Sequence, residues 1–381
     1  MPDVLQLTET RVQQRQDALL PKKSRPAHSL HVRRYSPALK KDWDGFVGQS
    51  KNGTFLFERG YMEYHSDRFL DYSLMIYRAE RLIAVLPANL DAHGAVVSHE
   101  GLTYGGLVMG PEARLSDVIA CFHAVLSYLA ECEIPTLHYK RIPAYYSHWP
   151  TDDVAYALFL LDARLCRREC SLVVPLAERL PFQKRRRRQM KKAVRANLLL
   201  RQDVDFNPFW EHVLVPRLLS RHHVRPVHTA SEISLLASRF PNNIKQYSAY
   251  DGDEIVAGIT IYETDTVAHA QYIAATDKGR RTGALDSLVA WLLNERYREK
   301  HFFDFGGSNE RQGAALNYGL LEWKEGFGAR CCSLDSYEIP TANFLKLELA
   351  LAQADHSPGR NHAVAEATER GVYAASPYEN L

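Results

Sequence analysis

Phe302-Phe303-Asp304-Phe305-Gly306-Gly307-Ser308, followed after a short polar loop by Asn317-Tyr318-Gly319-Leu320-Leu321-Glu322-Trp323-Lys324-Glu325-Gly326-Phe327-Gly328, is the stretch that decides the fold. An aromatic run ending in an acid and two glycines reads as a buried strand that stops abruptly at a crevice. Glycine lets backbone approach a ligand closely. The second part reads as a helix that packs an aromatic face and offers one lysine. Chemistry is therefore expected along this segment.

Outward from it, the chain shows a repeated order. Residues 246–250 and 255–261 are strand-like runs around the turn Asp251-Gly252-Asp253-Glu254, and 266–275 is the next strand. Residues 284–296 have helical apolar spacing (Leu285, Leu288, Val289, Trp291, Leu292, Leu293), and 301–305 is the closing strand. Roughly 170 residues earlier the same order occurs, which points to duplication. Strands at 72–77 and 82–86 flank the turn 78–81, 96–108 reads as strand broken by glycines, 116–131 as helix and 136–139 as strand. Such a succession fits an α/β or α+β layer architecture.

Composition bounds the rest. The 381 residues are 46% apolar and 24% charged with a net charge of +2, ordinary for a soluble chain of two domains and not the mark of a general nucleic-acid binder. No segment approaches the roughly 18 apolar residues of a membrane span. Residues 1–28 are polar and lack the apolar core of a secretory signal; they read as a leader, and 351–381 as a polar tail. The six cysteines (Cys121, Cys132, Cys166, Cys170, Cys331, Cys332) lack metal-site spacing, so reduced thiols in a cytoplasmic protein and no metal are expected.

Two basic features stand out. Between the halves, residues 181–201 carry Lys184-Arg185-Arg186-Arg187-Arg188, Lys191, Lys192 and Arg195 in a pattern that suits a helix. It is either a solvated charged face or a platform for phosphates; aromatic interleaving for stacking single-stranded bases is missing. The second feature, at 276–285, joins strand to helix through Lys278, Arg280, Arg281, Gly279 and Gly283. A helix start presents free N–H groups and a positive dipole end, so a pyrophosphate would fit this turn.

The order strand, glycine-basic turn, helix, Phe-Asp-Phe-Gly-Gly-Ser strand end resembles the GNAT acyltransferase fold. Asp304 to Ser308, then Asn317-x-Gly319-Leu320 and Trp323-Lys324-x-Gly326-Phe327-Gly328, look like its FemAB-like branch. The resemblance implies two tandem GNAT-like domains, each a mixed, mostly antiparallel sheet flanked by helices. The first would span 29–178 and shape the acceptor site; the second, 179–350, would open with the basic helix and bind the donor. It further implies transfer of an acyl or aminoacyl group to an amine. Lys278, Arg280, Arg281, Thr282, Gly283 and Ala284 would hold the donor's pyrophosphate, although the family's last glycine or alanine is Leu285 here. Lys324 matches an aromatic-lysine pair that stabilises charge near the transferred carbonyl.

Acyl transfer needs a held donor, a deprotonated amine and a stabilised oxyanion. Asp304 is placed to orient or deprotonate the acceptor, Tyr272 to protonate the leaving thiolate, and the strand 268–272 to offer an N–H to the carbonyl. Strict alternation puts His269 and Gln271 on the face opposite Tyr272. Ser308 and Asn317 are assigned to the acceptor, as are His99 and Tyr104 of the first half, whose loop 110–115 lacks a glycine-basic turn. The expected activity is an N-acyltransferase using acetyl-CoA or another acyl-CoA as co-substrate, with no permanently bound cofactor. Its acceptor would be an amine on a small polar molecule, such as an amino sugar of a surface polysaccharide or an amino acid. The alternatives are aminoacyl-tRNA-dependent transfer to a peptidoglycan precursor and a non-catalytic binding module. DNA is not expected as a partner.

Overall fold

The same module is built twice from alternating apolar residues and one amphipathic helix. The computed structural model describes residues 30–354. The expected leader and residues 355–381 of the expected tail lie outside the described residues. The early strands are β1 (Leu30–Arg34), β2 (Leu70–Asp71), β3 (Leu74–Arg78), β4 (Arg81–Leu86), β5 (Asn89–Leu90), β6 (Val96–Val97), β7 (Val108–Met109), β8 (Thr136–Lys140) and β9 (Arg164–Pro175). The later ones are β10 (Leu199–Asp203), β11 (Ile244–Asp251), β12 (Glu254–Glu263), β13 (Val267–Ala275), β14 (Phe302–Gly307), β15 (Asn309–Glu310), β16 (Ala315–Leu316) and β17 (Arg330–Pro340). One sheet runs β1-β3-β4-β7 and a larger one β10-β11-β12-β13-β14-β9-β17-β8-β6-β5-β2, with β15-β16 a separate pair.

In the second half, β11, β12 and β13 are antiparallel neighbours and β14 returns parallel to β13 after the helix Ala284–Trp291. In the first half, β3 and β4 form the hairpin, and β8 returns parallel to β6 after the helix Leu115–Glu131. The strand expected over 96–108 is a correction: it is only β6 and β7, with a loop between them. The cause is Lys140, whose Nζ donates to the carbonyls of His99, Glu100 and Leu102 at 3.0, 3.2 and 2.8 Å. Carbonyls gathered around one ammonium cannot also face a neighbouring strand.

The two long strands not visible in the sequence, β9 and β17, tie the halves together. β9 precedes the basic helix, yet it lies between β14 and β17. β17, at the end of the second half, pairs with β9 along most of its length and with β8 of the first half through Ser336–Lys140 to Pro340–Thr136. Arg168 of β9 grips the buried Asp335 of β17 through two bonds of 2.6 and 2.8 Å, a bidentate geometry that fixes register. Cys170 and Cys331 form a disulfide across the same pair, with Cα atoms 5.3 Å apart, so the expectation of six reduced thiols is corrected. The two Cα atoms meet because antiparallel neighbours bring residues far apart in sequence to disulfide range.

Three large apolar clusters, and a small one of alanines around Val256, hold the layers. One surrounds the helix Leu115–Glu131, with Phe122, Val125, Leu126 and Leu129 inside. A second surrounds the helix Ala284–Trp291, with Leu288, Val289, Phe303, Phe305 and Phe327. The third joins both halves, packing Phe55, Phe57 and Tyr61 with Phe209, Trp210, Phe240 and Tyr262. Each large side chain fully buried there contributes about 1.5–3 kcal/mol, so the halves share one core.

Candidate active site

β13 and β14 pair only over Val267–Phe302, Ala268–Phe303 and His269–Asp304, then part. Both strands turn at this point for local reasons. On β13 the register to β12 jumps from Ala270–Ile261 to Tyr272–Thr260, so Gln271 is a bulge. On β14, Gly306 adopts φ 71°, a left-handed conformation that favours glycine. The bulge also corrects the alternation argument. Ala268, Ala270 and Ile273 pack toward the helix Ala284–Trp291, whereas Val267, Tyr272 and Ala274 pack in the cluster between the halves. Tyr272 is therefore on the Val267 side of the sheet, with His269.

A cavity of about 1030 Å³ opens where the strands part. Its walls are Ala270, Gln271 and Ile273 of β13, Phe305 of β14, Leu285 and Asp286 at the helix start, and Asn317, Trp323 and Lys324 of the helix Tyr318–Glu325. Arg185, Arg186 and Gln189 of the basic helix Lys184–Arg195 and Arg217 and Arg221 of the helix Val215–His222 complete it. Six cationic side chains (the four arginines, Arg280 and Lys324) outnumber the acids Asp286, Glu322 and Glu325. Arg186 is buried, pairs with Asp286 at 2.6 Å and leaves its Nε without a partner; Gln189 Oε1 is likewise sealed and unpartnered.

Asp304 sits at the fork and is 2% exposed. Its Oδ2 accepts from Tyr145 Oη at 3.1 Å, Tyr146 Oη at 3.0 Å and His269 Nδ1 at 3.0 Å. Its Oδ1 accepts from Ser171 Oγ at 2.5 Å and the Gly306 N–H at 2.8 Å. Burial alone would raise this carboxyl, but His269, Ser171 and the Gly306 N–H outweigh it and hold the pKa near 2. Lys324, 3% exposed, donates to the carbonyls of Gly306 and Gly307 at 2.9 and 2.6 Å. Burial lowers its pKa to about 8, partly offset by the nearby Asp304 charge.

The other expected residues are scattered. Tyr272 Oη meets His228 Nδ1 at 2.6 Å and its ring packs on Trp210, and it is absent from the cavity wall. Of the six donor-binding residues expected, the wall contains only Arg280. Lys278 is held by Asp251 at 2.9 Å and Glu254 at 2.7 Å. Arg281 is exposed and outside the wall. The turn is a short helix, Asp277–Thr282, in which Thr276 already accepts from Gly279 N–H and Arg280 N–H and Thr282 bonds back to Lys278 and Gly279 carbonyls. Gly283 (φ 77°) separates the two helices, and a Cβ there would lie 2.3 Å from the Gln189 carbonyl oxygen. Close helix packing, with Ala284 fully buried beside it, explains Gly283-Ala284 without a phosphate.

Asn317 lines the cavity and caps its helix, accepting from Leu320 N–H at 3.0 Å. Ser308 is 1% exposed with its Oγ unpartnered. Tyr104 is buried, bonded to Thr54 and stacked near Tyr146; His99 is buried, stacked on His65, and has an unpartnered Nδ1. Sequence reasoning missed Tyr145, Tyr146, Ser171, Arg217 and Arg221. The adjacent tyrosines after Pro143 were the one local signal. Among the described residues, no group of three or more His, Cys, Asp or Glu side chains is arranged to hold a metal ion, and no helix is long and apolar enough to cross a membrane.

No protein-family model matches this chain, and no curated protein matches its sequence. Solved structures match it in fold. The crystal structure of FemX superposes with a TM-score of 0.57 at 12% identity, covering 83% of this chain and 99% of that one. L-PGS from Bacillus licheniformis gives 0.48 at 11% identity over 86% and 99% of the two chains. A tandem GNAT protein from the clavulanic acid biosynthesis pathway gives 0.46 at 11% over 82% and 99%. The chain has the fold of FemX, with hairpin, strand, helix and parallel strand occurring once in each half.

Proposed function

We propose that the protein is a FemAB-like N-acyltransferase that moves an acetyl or other acyl group from acyl-CoA to an amine of a small polar acceptor. The acceptor class we favour is an amino sugar or amino acid used in cell-surface polysaccharide metabolism, with the reaction in the cytoplasm. The observation that carries the reading is the cavity at the fork of β13 and β14, lined by six cationic side chains against three acids. An extended donor with phosphates suits that balance: phosphates against Arg185, Arg221 and Arg280, the acyl group inward beside Lys324. Donor phosphates are drawn to the mouth rather than the helix start, where Asp286 already places a carboxylate. The test is thermal stabilisation by coenzyme A, followed by mass spectrometry of amines labelled from isotopic acetyl-CoA in a cell extract.

A second reading, aminoacyl-tRNA-dependent transfer to a peptidoglycan precursor, is favoured by the outer face of the basic helix. Arg187, Arg188, Lys191, Lys192 and Arg195 are exposed, and no ion pair involves them among the described residues. Binding of aminoacylated tRNA with a steep salt dependence would select it. No response to either donor would leave a non-catalytic GNAT-like module.

A further inference from the structure

Asp304 is saturated. Two hydroxyls, one further hydroxyl, one backbone N–H and one imidazole already occupy its oxygens, and no route remains for an acceptor amine to reach it. A carboxylate kept ionised is an acceptor only, so the His269 Nδ1 facing it must carry a proton. In the tautomer that donates Nδ1–H to Asp304, the lone pair lies on Nε2. That atom makes no hydrogen bond among those found, and it is absent from the sealed, unpartnered atoms. The His269 side chain is 12% exposed, against 3% for Asp304. Its position is also distinctive. His269–Asp304 is the last paired rung before β13 and β14 part, and a Cβ on Gly306 would lie 3.4 Å from His269 Cε1. The imidazole is outside the cavity wall, on the Val267 face of β13, but it stands at the tip of the fork, next to the turn whose carbonyls Lys324 holds.

We infer that His269 is the general base of the transfer, with Asp304 as its positioning residue and Ser171, Tyr145 and Tyr146 fixing Asp304 in turn. The inference rests on the acyl-transfer reading above. In the step, the amine lone pair forms the new C–N bond to the donor carbonyl, and the proton released by that nitrogen goes to His269 Nε2. Collapse of the tetrahedral oxyanion breaks the bond to the donor sulfur or oxygen, which leaves with the bonding pair and receives the proton back from the imidazolium. Lys324 lines the cavity on the other face of the fork, so in this step the donor carbonyl reaches the fork from the Lys324 side and the amine meets it from the His269 side. The titratable groups around the dyad are Tyr104 of the loop between β6 and β7, Tyr145 and Tyr146 of the turn after β8, Lys324 of the helix Tyr318–Glu325 and Cys332 of β17.

Three measurements on the full chain test this. His269→Gln is expected to lower kcat/KM at least 100-fold, the range of lost general-base catalysis, with the Kd for coenzyme A within twofold of wild type. Ser171→Ala removes one donor from Asp304, leaves it more basic, and is expected to move the ascending limb of the kcat/KM–pH profile upward at unchanged coenzyme A affinity. Nitrogen-15 spectra of histidine-labelled protein are expected to show His269 with its proton on Nδ1. A wild-type enzyme that binds coenzyme A and transfers, while His269→Gln transfers equally fast, overturns the base assignment and leaves the donor reading standing. A proton on Nε2 overturns the dyad whatever the activity. A wild type that transfers from neither acyl-CoA nor aminoacyl-tRNA overturns the acyl-transfer reading and this inference with it.

Discussion

Lys324→Met separates a buried ammonium from a surface lysine. The Nζ bonds two carbonyls, at 2.9 and 2.6 Å, and these would lose their donors. Hydrogen bonds to a charged group contribute about 1.5–3 kcal/mol each. Against that stands the charge itself: a fall in pKa from 10.5 to about 8 corresponds to about 3 kcal/mol of charging cost, at about 1.4 kcal/mol per pH unit. At pH 7 the two effects largely offset, and the variant should lose only about 1–3 kcal/mol. The pH dependence is sharper. Because the folded value is below the unfolded one, the unfolded chain binds more protons between pH 8 and 10.5, so wild type gains stability as pH rises across that window. The methionine variant has no such gain. Urea unfolding followed by tryptophan fluorescence from pH 7 to 10.5 should show the wild-type advantage growing by about 3 kcal/mol. Parallel stability–pH curves for the two proteins would refute a buried ammonium at Lys324. Turnover should fall at least tenfold in the variant; if it does not, Lys324 is outside the chemistry.

Arg280→Ala should weaken coenzyme A binding about tenfold by calorimetry, the loss of one charged contact of about 1.4 kcal/mol, whereas Arg281→Ala, outside the cavity wall, should leave it unchanged. Gly283→Ala should lower stability by about 1–3 kcal/mol in thermal melts, because φ is 77° and the added Cβ meets the Gln189 carbonyl at 2.3 Å. Burial lowers the pKa of His65 to about 4, of His99 to about 3 and of His228 to about 4. Their neutral forms therefore stabilise the fold fully above pH 6.5, and that stability is lost as pH falls below it. His99→Phe should flatten the loss between pH 6.5 and 4 in urea titrations, and an unchanged slope would remove His99 from the account.

Elements built on local periodicity were legible: the hairpins, the two amphipathic helices and the strand ending at Asp304 all follow from apolar spacing. β9 and β17 were not. Arg164 to Glu169 is mostly charged and exposed and shows no alternation, because the strand gains its partners from a chain segment more than a hundred residues away. The partners of Asp304 were hidden for the same reason: Tyr145, Tyr146 and Ser171 lie 159, 158 and 133 residues from it in sequence. The face of Tyr272 was misjudged because a one-residue bulge inverts alternation and leaves no composition signal. The basic turn suits an anion cradle, but Thr276 capping and close helix packing at Gly283 draw on the same residue types, so composition alone does not separate these demands.

The crossing of β9 and β17 bears on how the chain is made. β8 is complete by Lys140, but its neighbour on one side is the stretch from Ser336 to Pro340. At about 5–20 residues per second of synthesis, that edge waits roughly 10–40 seconds for its partner. The first half cannot complete its sheet until the second has left the ribosome. The nascent first half must expose an open strand edge, the feature most prone to pairing with another chain. A chaperone or a slow codon run placed after β8 would therefore matter for yield more than for the stability of the finished protein.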